Sequence, residues 1–238
     1  MKCFAITHPG LVRSGNEDSC FIPESGERFA MVCDGMGGHR AGEVASCAAV
    51  EALRRELTGA QPSPETLRAA ILNVNRAVYD MAQADGACAG MGTTLTVLWW
   101  GDDKVLMGHV GDSRLYRYAG GELKQLTHDH TYVQELVDFG EITQSQARVH
   151  PRRNLITRAI GTRPSVEVDT AGFERAPGTA YLLCSDGLTN MLEDEQILDI
   201  LNRNAPERAL SELLEGALAH GGTDNITAIL ALDEEVGS

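Results

Sequence analysis

Four aspartates, Asp34, Asp112, Asp186 and Asp224, each stand at the edge of an apolar run. Phe29-Ala30-Met31-Val32-Cys33 leads into Asp34-Gly35, and Val105-Leu106-Met107-Gly108-His109-Val110 into Gly111-Asp112-Ser113. Tyr181-Leu182-Leu183-Cys184-Ser185 leads into Asp186-Gly187, while Asp224-Asn225 opens Ile226-Thr227-Ala228-Ile229-Leu230. Short apolar runs bounded by Gly, Asn or Ser read as buried strands. Neighbouring strands can bring such ends together. Carboxylates gathered without cationic partners repel one another, and a hard divalent cation relieves that repulsion. Singly, Asp-Gly and Asp-Asn are ordinary turn chemistry. Four of them, all at strand edges, point to a metal site.

The chain has 238 residues, 43% of them hydrophobic, enough for a sizeable core, and a formal charge of −14. So acidic a surface argues against nucleic acid or an anionic membrane as the main partner. A phosphorylated substrate would need local attraction from metal ions or an arginine. The six cysteines form no Cys-x-x-Cys pair, and three sit inside apolar runs, as expected of buried thiols in a reducing compartment. No run reaches the roughly 18 apolar residues of a membrane span, and the N-terminus lacks a signal pattern. A cytoplasmic protein is the default expectation.

The spacing predicts strands over 2–7, 19–22 and 29–33, then a helix over 42–57. A second helix begins at Pro64, capped by Ser63, with Leu67, Ile71, Val74, Val78 and Met81 as its apolar stripe. Strands over 93–100, 104–110 and 113–118 follow, and their short connections suit an antiparallel meander. Residues 127–163 are polar, with short helices expected near 132–139 and 143–148, and read as an excursion over the surface. Strands over 166–173 and 179–184, helices over 193–201 and 206–219, and a strand over 225–232 complete the chain. No repeat or long linker divides it. We expect a single α+β domain with layered sheets over residues 1–238.

Two motifs invite other readings. Asp34-Gly35-Met36-Gly37-Gly38-His39 lies between a strand and a helix, but Arg40 stands where a dinucleotide fingerprint needs its third glycine. The glycines instead let backbone approach a cation, with the Gly35 carbonyl as a ligand beside Asp34. His128-Asp129-His130 looks like a metal triplet, but adjacent side chains point in different directions, so a surface role is expected there.

Arg13-x-x-Asn16-Glu17-Asp18, Asp34-Gly35-x-Gly37-Gly38, Gly111-Asp112-Ser113-Arg114, Ser185-Asp186-Gly187-Leu188 and Thr223-Asp224-Asn225-Ile226-Thr227 occur in that order. This series resembles the bacterial metal-dependent protein serine/threonine phosphatases of type 2C, the PPM family, over nearly the whole chain. The resemblance implies a four-layer αββα sandwich, two stacked antiparallel sheets flanked by helix pairs, with residues around 127–163 as the family's flap. It implies that Asp34 bridges two Mn²⁺ or Mg²⁺ ions, with the Gly35 carbonyl on one and Asp186 and Asp224 on the other. Glu17 and Asp18 would act through metal-bound waters, and Asp112, with Asp186, would hold a weaker third ion. Arg13 would grip the phosphate, and a hydroxide between the ions would attack phosphorus in line.

Many relatives carry histidine where this chain has Met36, which cannot donate a proton. His39, three residues on, and a metal-bound water are then candidates for the general acid, although capping local backbone or positioning substrate is the favoured role for His39. Implied partners are phosphorylated proteins, including a eukaryotic-like Ser/Thr kinase and its substrates, with a monomer as the default. The alternative is a catalytically weak relative that binds phosphoproteins as a regulator; the retained carboxylates argue against it.

Overall fold

The computed structural model describes residues 1–24, 26–37 and 41–233. Two antiparallel sheets carry the fold. The first is ordered β1 (Lys2–His8), β11 (Ile226–Leu232), β10 (Ala180–Cys184), β7 (Arg114–Ala119) and β8 (Glu122–Gln125). The second is ordered β2 (Asp18–Phe21), β3 (Phe29–Met36), β5 (Leu95–Trp100), β6 (Lys104–Val110) and β9 (Asp169–Glu174), with β4 (Gly92–Thr93) paired to β3.

Alternation along the strands builds the layers, because successive side chains face opposite sides of a sheet. Phe29, Met31 and Cys33 of β3 pack with Leu53, Leu67 and Ile71 from α1 (Ala41–Leu57) and α2 (Pro64–Ala84). The intervening Ala30 and Val32 turn the other way, onto Tyr181, Leu183 and Ile229 of the first sheet. On that sheet's far face, Leu182 and Cys184 meet Ile197 of α6 (Asp194–Arg203) and Leu210 and Leu213 of α7 (Pro206–Ala219). The order is therefore helices, sheet, sheet, helices, as the resemblance implied. Between β8 and β9 the chain also makes α3 (Tyr132–Asp138) and α4 (Gln144–Arg148), and between β10 and α6 it makes α5 (Asp186–Thr189).

Ser63 caps α2 as expected, accepting from the Thr66 amide at 3.0 Å, with Pro64 in the first turn. The apolar stripe ends differently. Met81 is exposed and Ala82 is buried, because the helical period carries the inner face from Val78 to Ala82.

The expected meander through 118 is also corrected. β5 and β6 form a hairpin, but β7 belongs to the other sheet, so Gly111-Asp112-Ser113 crosses between layers. The expected strand over 93–100 breaks at Thr94, whose amide bonds the Asp34 carbonyl at 2.8 Å. The strand expected from 166 begins at Asp169. Both changes lie where the chain bends around the acidic edge of the sandwich.

Candidate metal centre

β2 and β3 bring the first two acids together, since Asp18 and Asp34 are register partners. The other sheet is fastened to this pair through Ser185, which donates to Asp18 Oδ2 at 2.8 Å and accepts from the Thr227 amide at 3.0 Å. Asp186 follows Ser185 as the first residue of α5, and Asp224 precedes β11. The layer crossing delivers Asp112, which is 6% exposed. Strand ends from both sheets thus converge on one acidic edge.

Small residues permit that convergence. A Cβ on Gly35 would overlap the carbonyl oxygens of Gly42 and Glu17, and one on Gly187 would overlap the Asn225 carbonyl. The glycine after Asp34 and the one after Asp186 therefore serve close backbone packing. Asn225 completes the frame. Its Oδ1 accepts from the Glu17 amide at 2.7 Å, and its Nδ2 donates to the carbonyls of Pro9 at 3.0 Å and Gly15 at 2.8 Å. Asn225 and Ser185 lie inside motifs visible in the sequence, but their stitching roles depend on partners in distant segments of the chain and had no local signal.

Electrostatics mark the cluster. Burial, opposed by hydrogen bonds from Thr227 and Ser185, pushes Asp18 up to about 7. Burial and then the charge of Asp224 push Asp186 up to about 6, although Asp34 and Asn190 hydrogen-bond to it. Asp34 stands well above the ordinary carboxylate range, through burial and the charges of Asp18, Asp186, Asp112 and Asp224. Asp112 is raised likewise by burial and by Asp186. Glu17 is raised mainly by burial.

One oxygen of Asp18 and one of Asp112 are buried without any hydrogen-bond partner. An orphaned carboxylate oxygen is costly, and a divalent cation that prefers oxygen ligands would satisfy it. The donor set therefore suits Mn²⁺ or Mg²⁺ in its chemistry. Among the described residues, no three His, Cys, Asp or Glu side chains form a ready-made coordination sphere. Asp34 and Asp186 nevertheless lie close enough for each to shift the other's titration.

Arg13 is the cation beside the cluster. Its Nη2 donates to Asp224 Oδ2 at 2.8 Å, and this bond chiefly raises the guanidinium pKa. The side chain remains half exposed. Arg13, Asn16, Glu17, Glu43 and Asn225 line a hollow on that side. On the other side, Asp112, Asp186 and Asn190 face Gln134, Arg148 and Arg153 of the 127–163 excursion across a second cleft. His39 lies outside the described residues.

The triplet at 128–130 separates, but not into three surface residues. His128 is exposed and pairs with Asp138 at 2.8 Å, whereas Asp129 accepts two donors of Arg114. His130 is 4% exposed and points into the protein, which corrects the surface reading. Alternate pointing along the chain rules out shared ligation and also places His130 inward.

A family model described as protein phosphatase 2C matches residues 13–230. The chain belongs to the protein phosphatase 2C family. It is 42% identical over 234 residues to the serine/threonine protein phosphatase PstP of Mycobacterium tuberculosis, a match covering 97% of this chain and 45% of that protein. It thus spans about half the length of PstP. It is 40% identical over 236 residues to the serine/threonine phosphatase stp of Listeria welshimeri, covering 94% and 92% of the two chains. The crystal structure of the Mycobacterium tuberculosis phosphatase PstP/Ppp superposes with a TM-score of 0.92 at 40% identity, covering 98% of this chain and 99% of that one. A PstP catalytic domain in complex with two manganese ions superposes with a TM-score of 0.89 at 38% identity, covering 98% of each chain. This phosphatase 2C chain thus shares its layering with solved members of the family.

Proposed function

We propose that this chain hydrolyses phosphoserine and phosphothreonine esters of proteins and depends on Mn²⁺ or Mg²⁺. The observation that carries the reading is the cluster of buried Asp18 and Asp112 with half-buried Asp34 and Asp186, with one orphaned oxygen each on Asp18 and Asp112. Asp34, the Gly35 carbonyl, Asp186 and Asp224 would hold two ions. Glu17 and Asp18 would orient water around them, and Asp112 with Asp186 would hold a third, weaker ion. When bound, the divalent cations supply an acidified water and offset charge on the transferring phosphoryl group.

The chain's own residues bind and orient. Arg13 spends one donor on Asp224, which leaves the rest of its planar fork for phosphate oxygens. Asn190 donates to Asp186 Oδ2 at 2.9 Å and holds that carboxylate toward the centre. Ser185, itself held by the Thr227 amide, holds Asp18 on the first sheet's side. Met36 offers no proton, so a leaving alkoxide must take its proton from water or from a nearby acid. Residues 127–163 serve as a flap whose Gln134, Arg148 and Arg153 form the far wall of the substrate cleft.

The substrates would be phosphoproteins, including a Ser/Thr kinase and its targets, met by a monomer in the cytoplasm. Among the described residues no helix is long and apolar enough to cross a membrane. The test is hydrolysis of p-nitrophenyl phosphate and a phosphothreonine peptide in chelator, then with Mn²⁺ restored. Turnover that appears only with metal supports the reading. Phosphopeptide binding without turnover at any metal concentration would favour the regulator.

A further inference from the structure

We infer that His130 is a positioning residue that clamps the Gly111–Asp112 crossing to the two roots of the flap. The inference rests on the role given above to Asp112.

His130 grips Gly111 twice. Its backbone amide donates to the Gly111 carbonyl at 2.8 Å, and its Nδ1 accepts from the Gly111 amide at 3.0 Å. A backbone N–H can only donate, so Nδ1 carries no proton and the proton sits on Nε2. That Nε2 lies 3.2 Å from Asp169 Oδ2 and donates to it. Arg158 closes the group, bonding Asp169 Oδ1 at 3.2 Å. The ring also stacks on His109 with centroids 4.8 Å apart. His109 is itself fixed, with Nδ1 at 2.9 Å from Thr96 Oγ1 and Nε2 at 3.1 Å from the His128 carbonyl.

The clamped residue has little freedom. Gly111 has φ +117°, and a Cβ there would lie 2.6 Å from the Thr94 side chain. The neighbouring Ser113 hydroxyl holds Thr94 Oγ1 at 2.7 Å, and Thr94 Oγ1 accepts from the Asp34 amide at 2.9 Å. The turn that presents Asp112 is thus seated against the strand that presents Asp34.

The same histidine marks the flap's exit and return. The Thr157 amide donates to the His130 carbonyl at 2.8 Å, and Thr131 bridges Ile156. Movement at either root must pass through the residue that holds Gly111. Burial and the Arg158 charge lower the His130 pKa, in keeping with a neutral ring that accepts at Nδ1.

Two substitutions separate the ring's two bonds. Asparagine places an acceptor near the position of Nδ1 but cannot reach Asp169. Glutamine reaches toward Asp169 but loses the acceptor near Gly111. The readouts are exchange of the Gly111 amide in the metal-free protein, followed by NMR, and kcat and KM on a phosphopeptide with Mn²⁺. His130→Ala and His130→Gln should speed Gly111 exchange at least about tenfold. Both should lower kcat roughly ten- to a hundredfold by misplacing the turn, with KM nearly unchanged. His130→Asn should restore both quantities toward the parent.

Unchanged Gly111 exchange in His130→Ala overturns the clamp, as does rescue by glutamine and not asparagine. Asp112→Ala, measured alongside, keeps the two readings apart. Full turnover in Asp112→Ala would overturn the role of Asp112 and with it the kinetic part of the inference, while Gly111 exchange would still decide the clamp.

Discussion

Arg13 and Asp224 form the only ion pair in the cluster among the described residues, and under the proposed roles the pair would link substrate binding to metal binding. A guanidinium on Asp224 competes with a cation for the same carboxylate. Arg13→Ala should therefore raise KM for a phosphopeptide while leaving Mn²⁺ affinity level or higher. Lysine should rescue poorly, since it keeps the charge but not the fork. Calorimetry with Mn²⁺ and steady-state kinetics check this together. Weaker Mn²⁺ binding at an unaltered KM would make Arg13 a structural residue. Asp34 tests the centre from the other side. It is crowded by four other aspartates, so Asp34→Asn removes repulsion as well as a ligand. Turnover should fall by on the order of a hundredfold or more, the effect of several kcal/mol at the transition state. The melting temperature in chelator should hold or rise. An Asp34→Asn protein as active as the parent at limiting Mn²⁺ would show that the ligand is misassigned.

At the scale of elements, Arg148 fastens the 127–163 excursion to the segment after Asp186. Arg148, at the end of α4, donates from Nη2 to the carbonyls of Thr189 at 3.2 Å and Leu192 at 3.3 Å. Its Nε pairs with Glu193 at 2.7 Å. The ion pair is exposed enough to contribute little, so the carbonyl bonds carry most of the effect. Arg148→Ala should weaken the attachment by about 1–2 kcal/mol, a roughly five- to thirtyfold rise in local opening. Hydrogen exchange by mass spectrometry should show the change in peptides covering α4 and not in those covering α1. Equal exchange in the two proteins would mean that the flap is held elsewhere.

Most elements were legible because their signals are local. The Ser63-Pro64 start of α2 and the apolar runs of β3 and β10 needed no partner to be read. The crossing at Gly111 was not legible. A glycine-aspartate pair between two apolar strands has the same local pattern whether the chain turns back into one sheet or passes to the next. The inward turn of His130 was hidden for a related reason, since its partners Gly111 and Asp169 belong to other segments. The aspartates themselves were legible because each sits where an apolar run ends.

Across the whole molecule, the acidic edge should set the pH dependence of stability. Asp18 and Asp186, raised to about 7 and 6, hold protons in the folded protein that the unfolded chain releases near its ordinary carboxylate pKa of 3.8. The folded state therefore binds more protons above that value. Its advantage is complete below pH 3.8 and is lost as pH rises through 6 and 7. His109 works in the opposite sense. Burial lowers it from 6.5 to about 4, so its penalty grows as pH falls between those values. Between pH 8 and 6.5 the carboxylates dominate, because the opposing effect of His109 and His130 only begins near 6.5. In chelator, the melting temperature should rise as pH is lowered across that window. Saturating Mn²⁺ should raise stability at pH 8 more than at pH 6.5, because a cation must displace the protons that already relieve the cluster. The pH trend should then flatten or reverse. Calorimetric scans at the two pH values, each with chelator and with Mn²⁺, decide the matter. A melting temperature in chelator that falls from pH 8 to 6.5 would show that the aspartates are not crowded as described. A Mn²⁺ stabilisation equal at both values would show that the ion binds away from them.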